Sequence, residues 1–372
     1  MLFPYVYVPH RIERMHRFVN FIFYEVWCRA PKTRPYAAQL FDRNPALREI
    51  VDALTYGHSK EGDAFLGRIQ AIYEEFADLQ RSEISKVKRW YQANNDIESI
   101  CKNSTHCRIA RYADIAKVHP KLSELLASFF KNLSSSDLLG LKAIRDQIGE
   151  IDDHYKAFGQ QNGLGVCPFC GISTMFGPNT VPREAYDHYL PKSLYPFNSI
   201  NFRNLVPTCH HCNSAYKTIK DLAYQAKDPA GSTHRRRVFY PYRTTPQPIE
   251  VSMTLAHGDF AALKPDQIEI AFGPDEVREE INTWLDVYGV EERYKDFLLT
   301  GSGARYWWEQ ALSEWRGRGE TIDSYLEIIS KRADKHPYIE KNFLHKAFLN
   351  ACAQRGLLEA STSIATASSA EK

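Results

Sequence analysis

Two Cys-x-x-Cys pairs constrain this chain more than any other feature: Cys167-Pro168-Phe169-Cys170 and Cys209-His210-His211-Cys212, with 38 residues between them. Two residues between cysteines let both thiolates point at one tetrahedral ion, and two such pairs supply four soft ligands. That set closes the coordination sphere, so the expected ion is a structural Zn²⁺ with no position left for water. The separation is about twice the usual spacing for such sites, so a substantial folded insert is expected between the pairs. The other four cysteines, Cys28, Cys101, Cys107 and Cys352, are scattered and do not suggest a disulfide framework.

The surroundings of the pairs differ from the rest of the chain. Between Gln160 and Arg243 there are ten basic and four acidic residues, net +6, whereas the whole chain carries only +2, which leaves the flanks at −4. A chain-wide charge so small does not by itself argue for a polyanionic partner; its concentration around the cysteines does.

Periodicity predicts helices on both sides. Ile12, Met15, Phe18, Val19, Ile22 and Val26 mark one amphipathic helix over Arg11–Trp27. Phe65, Ile69, Ile72, Phe76 and Leu79, resuming at Ile84, Val87 and Trp90, mark a longer one. Further helices are expected over His119–Leu133 and Asp137–Phe158, making residues 1–160 an all-helical domain. Gly159–Gly165 reads as a short linker or loop. A second core is expected over 161–245. It is followed over 246–359 by a hairpin of Ile249–Leu255 with Gln267–Phe272 and by helices from Asp275, Ala304, Ile322 and Ile339. Residues 360–372 read as a frayed tail. The apolar stretch Phe18–Trp27 is interrupted by Asn20 and Glu25, so neither a signal peptide nor a membrane span is expected, and a cytoplasmic location is.

The insert between the cysteine pairs contains Asp187-His188-Tyr189-Leu190-Pro191-Lys192-Ser193, then Asn204-Leu205-Val206-Pro207, and Asn213 directly follows Cys212. Asp-His, then Asn, then Asn beside a Cys-x-x-Cys pair resembles the HNH endonucleases over about residues 165–220. The dipeptide alone carries little weight, since Asp153-His154 is a second Asp-His pair with no such surroundings. The order of all the elements carries the resemblance.

The resemblance implies an α+β, mostly α chain, with a central ββα-metal core stapled by the zinc knuckles and flanked by helical domains. It implies phosphodiester hydrolysis with His188 as general base, a role that suits imidazole because its ordinary pKa is about 6.5. Asp187 and the side-chain oxygen of Asn213 are the expected ligands of a catalytic Mg²⁺ or Mn²⁺, ions that favour hard oxygens. Asn204 is the expected support of the loop that orients the base. If Cys209–Lys220 is a helix, Asn213, Lys217 and Lys220 share a face, and the two lysines, with Lys192 and Arg203, are the candidate phosphate contacts. DNA is the expected substrate, with RNA as the other possibility.

The stretch Asp187–Asn213 is also similar to HNH subunits of bacterial anti-phage systems of the Septu and retron-associated kinds, which implies an ATPase partner held by the helical flanks, or a homo-oligomer. A restriction or mobile-element nuclease, or a zinc-stabilised binding module without activity, is the alternative. Several other features carry blander expectations. His210 and His211 should face solvent or phosphate, Cys101, His106 and Cys107 should be incidental, Arg235–Arg237 is as consistent with a solvated turn as with a phosphate contact, and Trp284, Trp307, Trp308 and Trp315 should be core or interface.

Overall fold

The computed structural model describes residues 1–33, 35–226, 233–318 and 321–358. It is mostly helical, with two small antiparallel sheets. No helix among the described residues is long and apolar enough to cross a membrane. The chain divides into two compact units.

The larger unit comprises residues 4–165 and 175–244. Its helices start where local chemistry satisfies their first amides: Asn44 caps Pro45–Gly57, Ser59 caps Lys60–Asp78 and Asp96 caps Ile97–Cys101, each through a side-chain oxygen. The core is built on Phe23, Trp27, Phe76, Phe129 and Phe130, all at most 1% exposed. Trp27 stacks on Phe76, and its indole N–H donates to the Ile69 carbonyl at 3.0 Å, which satisfies the polar atom of the largest buried ring.

Phe197, Ile200, Phe202 and Leu205 belong to the same core. The expected boundary near residue 160 therefore falls inside one unit, because this segment and the helices share a core. Of the Gly-rich stretch, only Gly163–Gly165 is a loop. The helix Ile151–Asn162 takes in the stretch's first four residues, and Gly163, at φ 58°, terminates that helix in the left-handed conformation. Gly159 is there for packing: a Cβ on it would lie 2.9 Å from Pro178.

Other helices differ from the periodicity in instructive ways. The Arg11–Trp27 segment is an α-helix only over Arg14–Phe21. It widens to a π turn at Ile22–Val26, which brings Phe23, Val26 and Trp27 all into the core. The expected helix over 137–158 is three pieces, Ser136–Leu139, Lys142–Ile148 and Ile151–Asn162, broken at Gly140 and at Gly149 (φ 77°). The long periodic run likewise splits into Lys60–Asp78 and Arg81–Asn95.

The smaller unit comprises Met1–Phe3, Val166–Thr174 and the described residues from Thr245 onward. The expected hairpin is present, and its two strands pair in antiparallel register from Glu250↔Gly273 to Leu255↔Ile268. Met253, Leu255, Ile268 and Phe272 alternate inward. Helices Arg278–Tyr288, Ala304–Arg318, Ile322–Lys335 and Asn342–Gln354 follow. Val290–Leu299, not expected separately, is a further helix set off by Gly289 at φ 56°. Trp284 and Trp307 are buried, Trp315 is 7% exposed and Trp308 is half-buried, in line with core roles. The expected tail lies outside the described residues.

Candidate functional site

Within the smaller unit, Cys167-Pro168-Phe169-Cys170-Gly171 forms a tight turn in which the Gly171 N–H donates to the Cys167 carbonyl at 2.8 Å. Gly171 has φ 69°, and a Cβ there would come within 2.4 Å of Leu2, so only glycine fits. Two aromatic side chains hold the turn: the Trp284 indole donates to the Phe169 carbonyl at 2.6 Å, and the Tyr294 hydroxyl to the Cys170 carbonyl at 2.8 Å.

The sulfurs of Cys167, Cys170, Cys209 and Cys212 all lie within 4.8 Å of one another and are buried. Four thiolates around one tetrahedral Zn²⁺ at ~2.3 Å would be about 3.8 Å apart, so the residues fit such an ion. The group could hold a metal such as zinc. Among the described residues no other cluster of three or more His, Cys, Asp or Glu side chains has ligand spacing. Cys101, His106 and Cys107 are therefore not half of a second site, and His210 and His211 are exposed.

Within the larger unit, β1 (Tyr186–His188) and β2 (Leu205–Pro207) pair antiparallel with Asp187 opposite Val206. The following helix, His211–Lys217, completes a strand–strand–helix arrangement. Alternation along β1 buries Asp187, leaving 3% exposed, and leaves His188 half-buried.

Asn204, fully buried, ties the ends of the hairpin loop together. Its Oδ1 accepts from the Leu190 N–H at 2.7 Å, while its amide donates to the carbonyls of Leu190 (3.1 Å) and Asn198 (3.3 Å). Three of its four hydrogen-bonding positions face backbone, so it is built to set a loop rather than to bind an ion.

The imidazole of His188 is oriented by a backbone group. Its Nε2 lies 2.9 Å from the Ser199 carbonyl, which can only accept. Nε2 therefore carries the proton, and a neutral ring presents its lone pair at Nδ1. Burial, with the positive charges of Lys192 and Lys217 adding to it, holds the His188 pKa down to about 3, so the ring is neutral near pH 7. It also lines a cavity of about 430 Å³, walled in part by Tyr186, Ile200, Phe202 and Arg183.

Asp187 is bound on one side only. Lys217 Nζ donates to its Oδ1 at 2.9 Å and to the His188 carbonyl at 2.8 Å, and the pair is almost wholly shielded, with side-chain exposures of 1% and 4%. Asp187 Oδ2 is buried without a hydrogen-bond partner. Burial raises the Asp187 pKa, and Lys217 opposes that rise.

Lys217 is thus not a surface cation, and its expected role as a phosphate contact is corrected. The cause is helix geometry: His211–Lys217 is wound as a π-helix and ends at Lys217, with Thr218 at φ 47°, so the expected shared face of Asn213, Lys217 and Lys220 does not form. Lys220 is exposed beyond the helix. Asn213 is half-buried, and among the described residues its carboxamide has no hydrogen-bond partner. Lys192 is half-buried and donates to Ser134 Oγ at 2.9 Å. Arg203 is exposed, its guanidinium 4.4 Å from the centre of the Tyr7 ring.

Of the basic run, Arg235 is tied to the carbonyls of Cys107 and Ile100, each at 3.2 Å, and Arg236 to that of Asp221 at 2.7 Å; only Arg237 is exposed. His154, the control histidine, is buried between Tyr186 OH and the Val8 carbonyl.

Sequence reasoning missed Ser199, which acts through a backbone carbonyl, and Asn94, whose amide donates to the carbonyls of Ala110 (2.8 Å) and Pro196 (3.0 Å) below the Ser199 loop. The repeated asparagines of Asn198-Ser199-Ile200-Asn201 were the available signal. Comparison with known protein families, with curated proteins and with solved structures finds no match.

Proposed function

We propose that this protein is a metal-dependent HNH endonuclease that hydrolyses phosphodiester bonds in nucleic acid, with DNA as its main substrate. The observation that carries the reading is the pairing of a neutral His188, its Nε2 proton fixed on the Ser199 carbonyl, with the adjacent Asp187, whose buried Oδ2 has no partner. An orphaned carboxylate oxygen is costly to bury, and a hard cation is the partner that suits it.

On this reading Asp187 through Oδ2 and Asn213 through its carboxamide oxygen would hold Mg²⁺ or Mn²⁺. When bound, the ion supplies charge stabilisation at the phosphate and leaving oxygen. His188 takes a proton from the attacking water at Nδ1, and the Ser199 carbonyl stabilises the imidazolium that results. Asn204 holds the loop that carries Ser199. Lys217 opposes the rise that burial gives the Asp187 pKa and anchors the His188 backbone. Zn²⁺ on the four cysteines has a folding role only.

The reading extends to an effector of anti-phage defence working with an ATPase partner, a role supported by the residue pattern Asp187–Asn213. A restriction or mobile-element nuclease shares the same chemistry. One observation favours a second reading, a zinc-stabilised binding or scaffold module without activity: Asp187 Oδ1 is already neutralised by Lys217. The two are separated by incubating zinc-loaded protein with plasmid DNA and with RNA, with and without Mg²⁺ or Mn²⁺. Cleavage that requires the added ion supports the nuclease. No cleavage of either polymer, with the ATPase partner also present, supports the inert module.

A further inference from the structure

Outside the hairpin site, the larger unit carries a basic cleft. The helix Arg81–Asn95 buries Ile84, Val87, Tyr91 and Asn94 and turns Lys86, Arg89 and Ala93 outward along the opposite side. Together with the loop that follows Cys101, this side encloses a cavity of about 560 Å³. Lys86, Arg89 and Arg108 all line it and all are exposed. Among the described residues none of the three has a carboxylate within ion-pair distance, whereas Lys102 beside them is paired with Glu98. The acid in the wall, Asp96, uses Oδ1 to cap Ser99 at 3.1 Å. Trp90 is half-buried, with Lys86 Nζ 4.9 Å from its ring centre.

The cleft is held in shape. Cys107 Sγ donates to the Ala93 carbonyl at 3.4 Å, and the Arg235 guanidinium braces the loop from behind through the Cys107 and Ile100 carbonyls. Cys107 and Arg235, which the hairpin site leaves unused, thereby have a place. Three unpaired cations beside an indole suit a polyanion with accessible planar groups; phosphates answer the cations, and unpaired bases stack on the ring. A duplex keeps its base faces covered, so the indole would have no use there.

We propose that this cleft binds a single strand of nucleic acid, with phosphates on Lys86, Arg89 and Arg108 and a base on Trp90. The inference rests on the nuclease reading for the identity of the polyanion. The same helix connects the cleft to the hairpin. On its buried side Asn94 donates to the Pro196 carbonyl at 3.0 Å and accepts at its own carbonyl from Asn198 at 3.1 Å, and the Asn95 carbonyl accepts from Asn201 at 3.0 Å. Loop Pro196–Asn201 contains the Ser199 carbonyl that orients His188. A strand seated in the cleft is therefore registered to the base through one helix.

The test uses the full-length chain with His188→Ala, zinc-loaded, and fluorescence anisotropy with labelled single-stranded DNA, single-stranded RNA and duplex DNA of one length across a salt series. Lys86→Glu/Arg89→Glu/Arg108→Glu should weaken single-strand binding on the order of 100-fold at 0.1 M salt and lower the salt slope by about 2, as expected for three phosphates at about 0.7 each. Trp90→Ala should cost about tenfold with the slope unchanged. The single variant Arg89→Glu, and unchanged zinc content throughout, guard against misfolding. Single-strand binding by the triple variant with the parent's affinity and slope overturns the cleft while leaving the nuclease reading intact, and so does tighter binding of duplex than of single strand. Cleavage by the unsubstituted chain, measured in parallel, tells failure of the cleft from failure of the nuclease reading.

Discussion

Replacing Lys217 by Met probes the link between helix and hairpin with the least change of shape. The ammonium makes two bonds, to Asp187 Oδ1 at 2.9 Å and to the His188 carbonyl at 2.8 Å, and is 1% exposed at its side chain. Methionine keeps most of the volume and removes both bonds. Two opposing terms decide the magnitude. As a surface pair the interaction would be worth about 0–1 kcal/mol. As a buried pair, loss of one partner strands a carboxylate whose other oxygen already lacks a hydrogen bond, at a cost of about 3–5 kcal/mol. Burial decides for the second. Urea unfolding of the zinc-loaded protein, followed by fluorescence, should show the midpoint falling by more than about 1 M at constant slope. Adding Asp187→Asn to Lys217→Met should recover a large part of that loss, because the stranded charge is gone. A Lys217→Met variant within about 1 kcal/mol of the parent, or a double variant no better than the single, would refute the buried-pair reasoning.

Three further outcomes follow from the same geometry. Cys209→Ser should lower bound zinc, measured by elemental analysis, and unfold the hairpin-helix segment, since ions of this kind contribute on the order of 10 kcal/mol to folding; a variant with full zinc content would contradict it. Asn204→Ala strands the Leu190 N–H and carbonyl together with the Asn198 carbonyl, and should cost about 2–4 kcal/mol in unfolding experiments and reduce cleavage at saturating Mn²⁺. Burial holds His154 neutral, with its pKa down to about 4 against the ordinary value near 6.5. Its contribution is therefore complete above about pH 6.5 and is lost as pH falls towards 4, an effect on the order of 3 kcal/mol. Thermal melts between pH 7 and 4.5 should show that loss, and His154→Gln should flatten it.

The cysteine spacing carried the metal-ligand set into the structure unchanged, because four soft ligands in two tight turns leave little geometric freedom. Periodicity carried the helical character of the flanks and the Glu250–Gly273 hairpin, since both depend on local alternation of apolar residues. Breaks were less visible. Gly140 and Gly149 stop helices that the apolar pattern runs through, whereas Gly159 sits inside a helix because Pro178 packs against it. One sequence cannot tell a glycine that ends a helix from one that admits a neighbour. The same limit governed Lys217: a lysine four residues after an asparagine reads as an outward cation only if the helix has an α pitch, and the π winding turns it inward onto Asp187. Ser199 was invisible for another reason, since a backbone carbonyl belongs to every residue and only the fold selects which one meets His188.

The most direct test of the central claim is His188→Ala in a cleavage assay with Mn²⁺, alongside zinc content. Nδ1 of His188 is the proposed proton acceptor, so strand scission should fall by at least about 10²-fold while bound zinc and the unfolding midpoint stay near those of the parent. Scission by the variant at the parent's rate, with the same metal dependence, would contradict it.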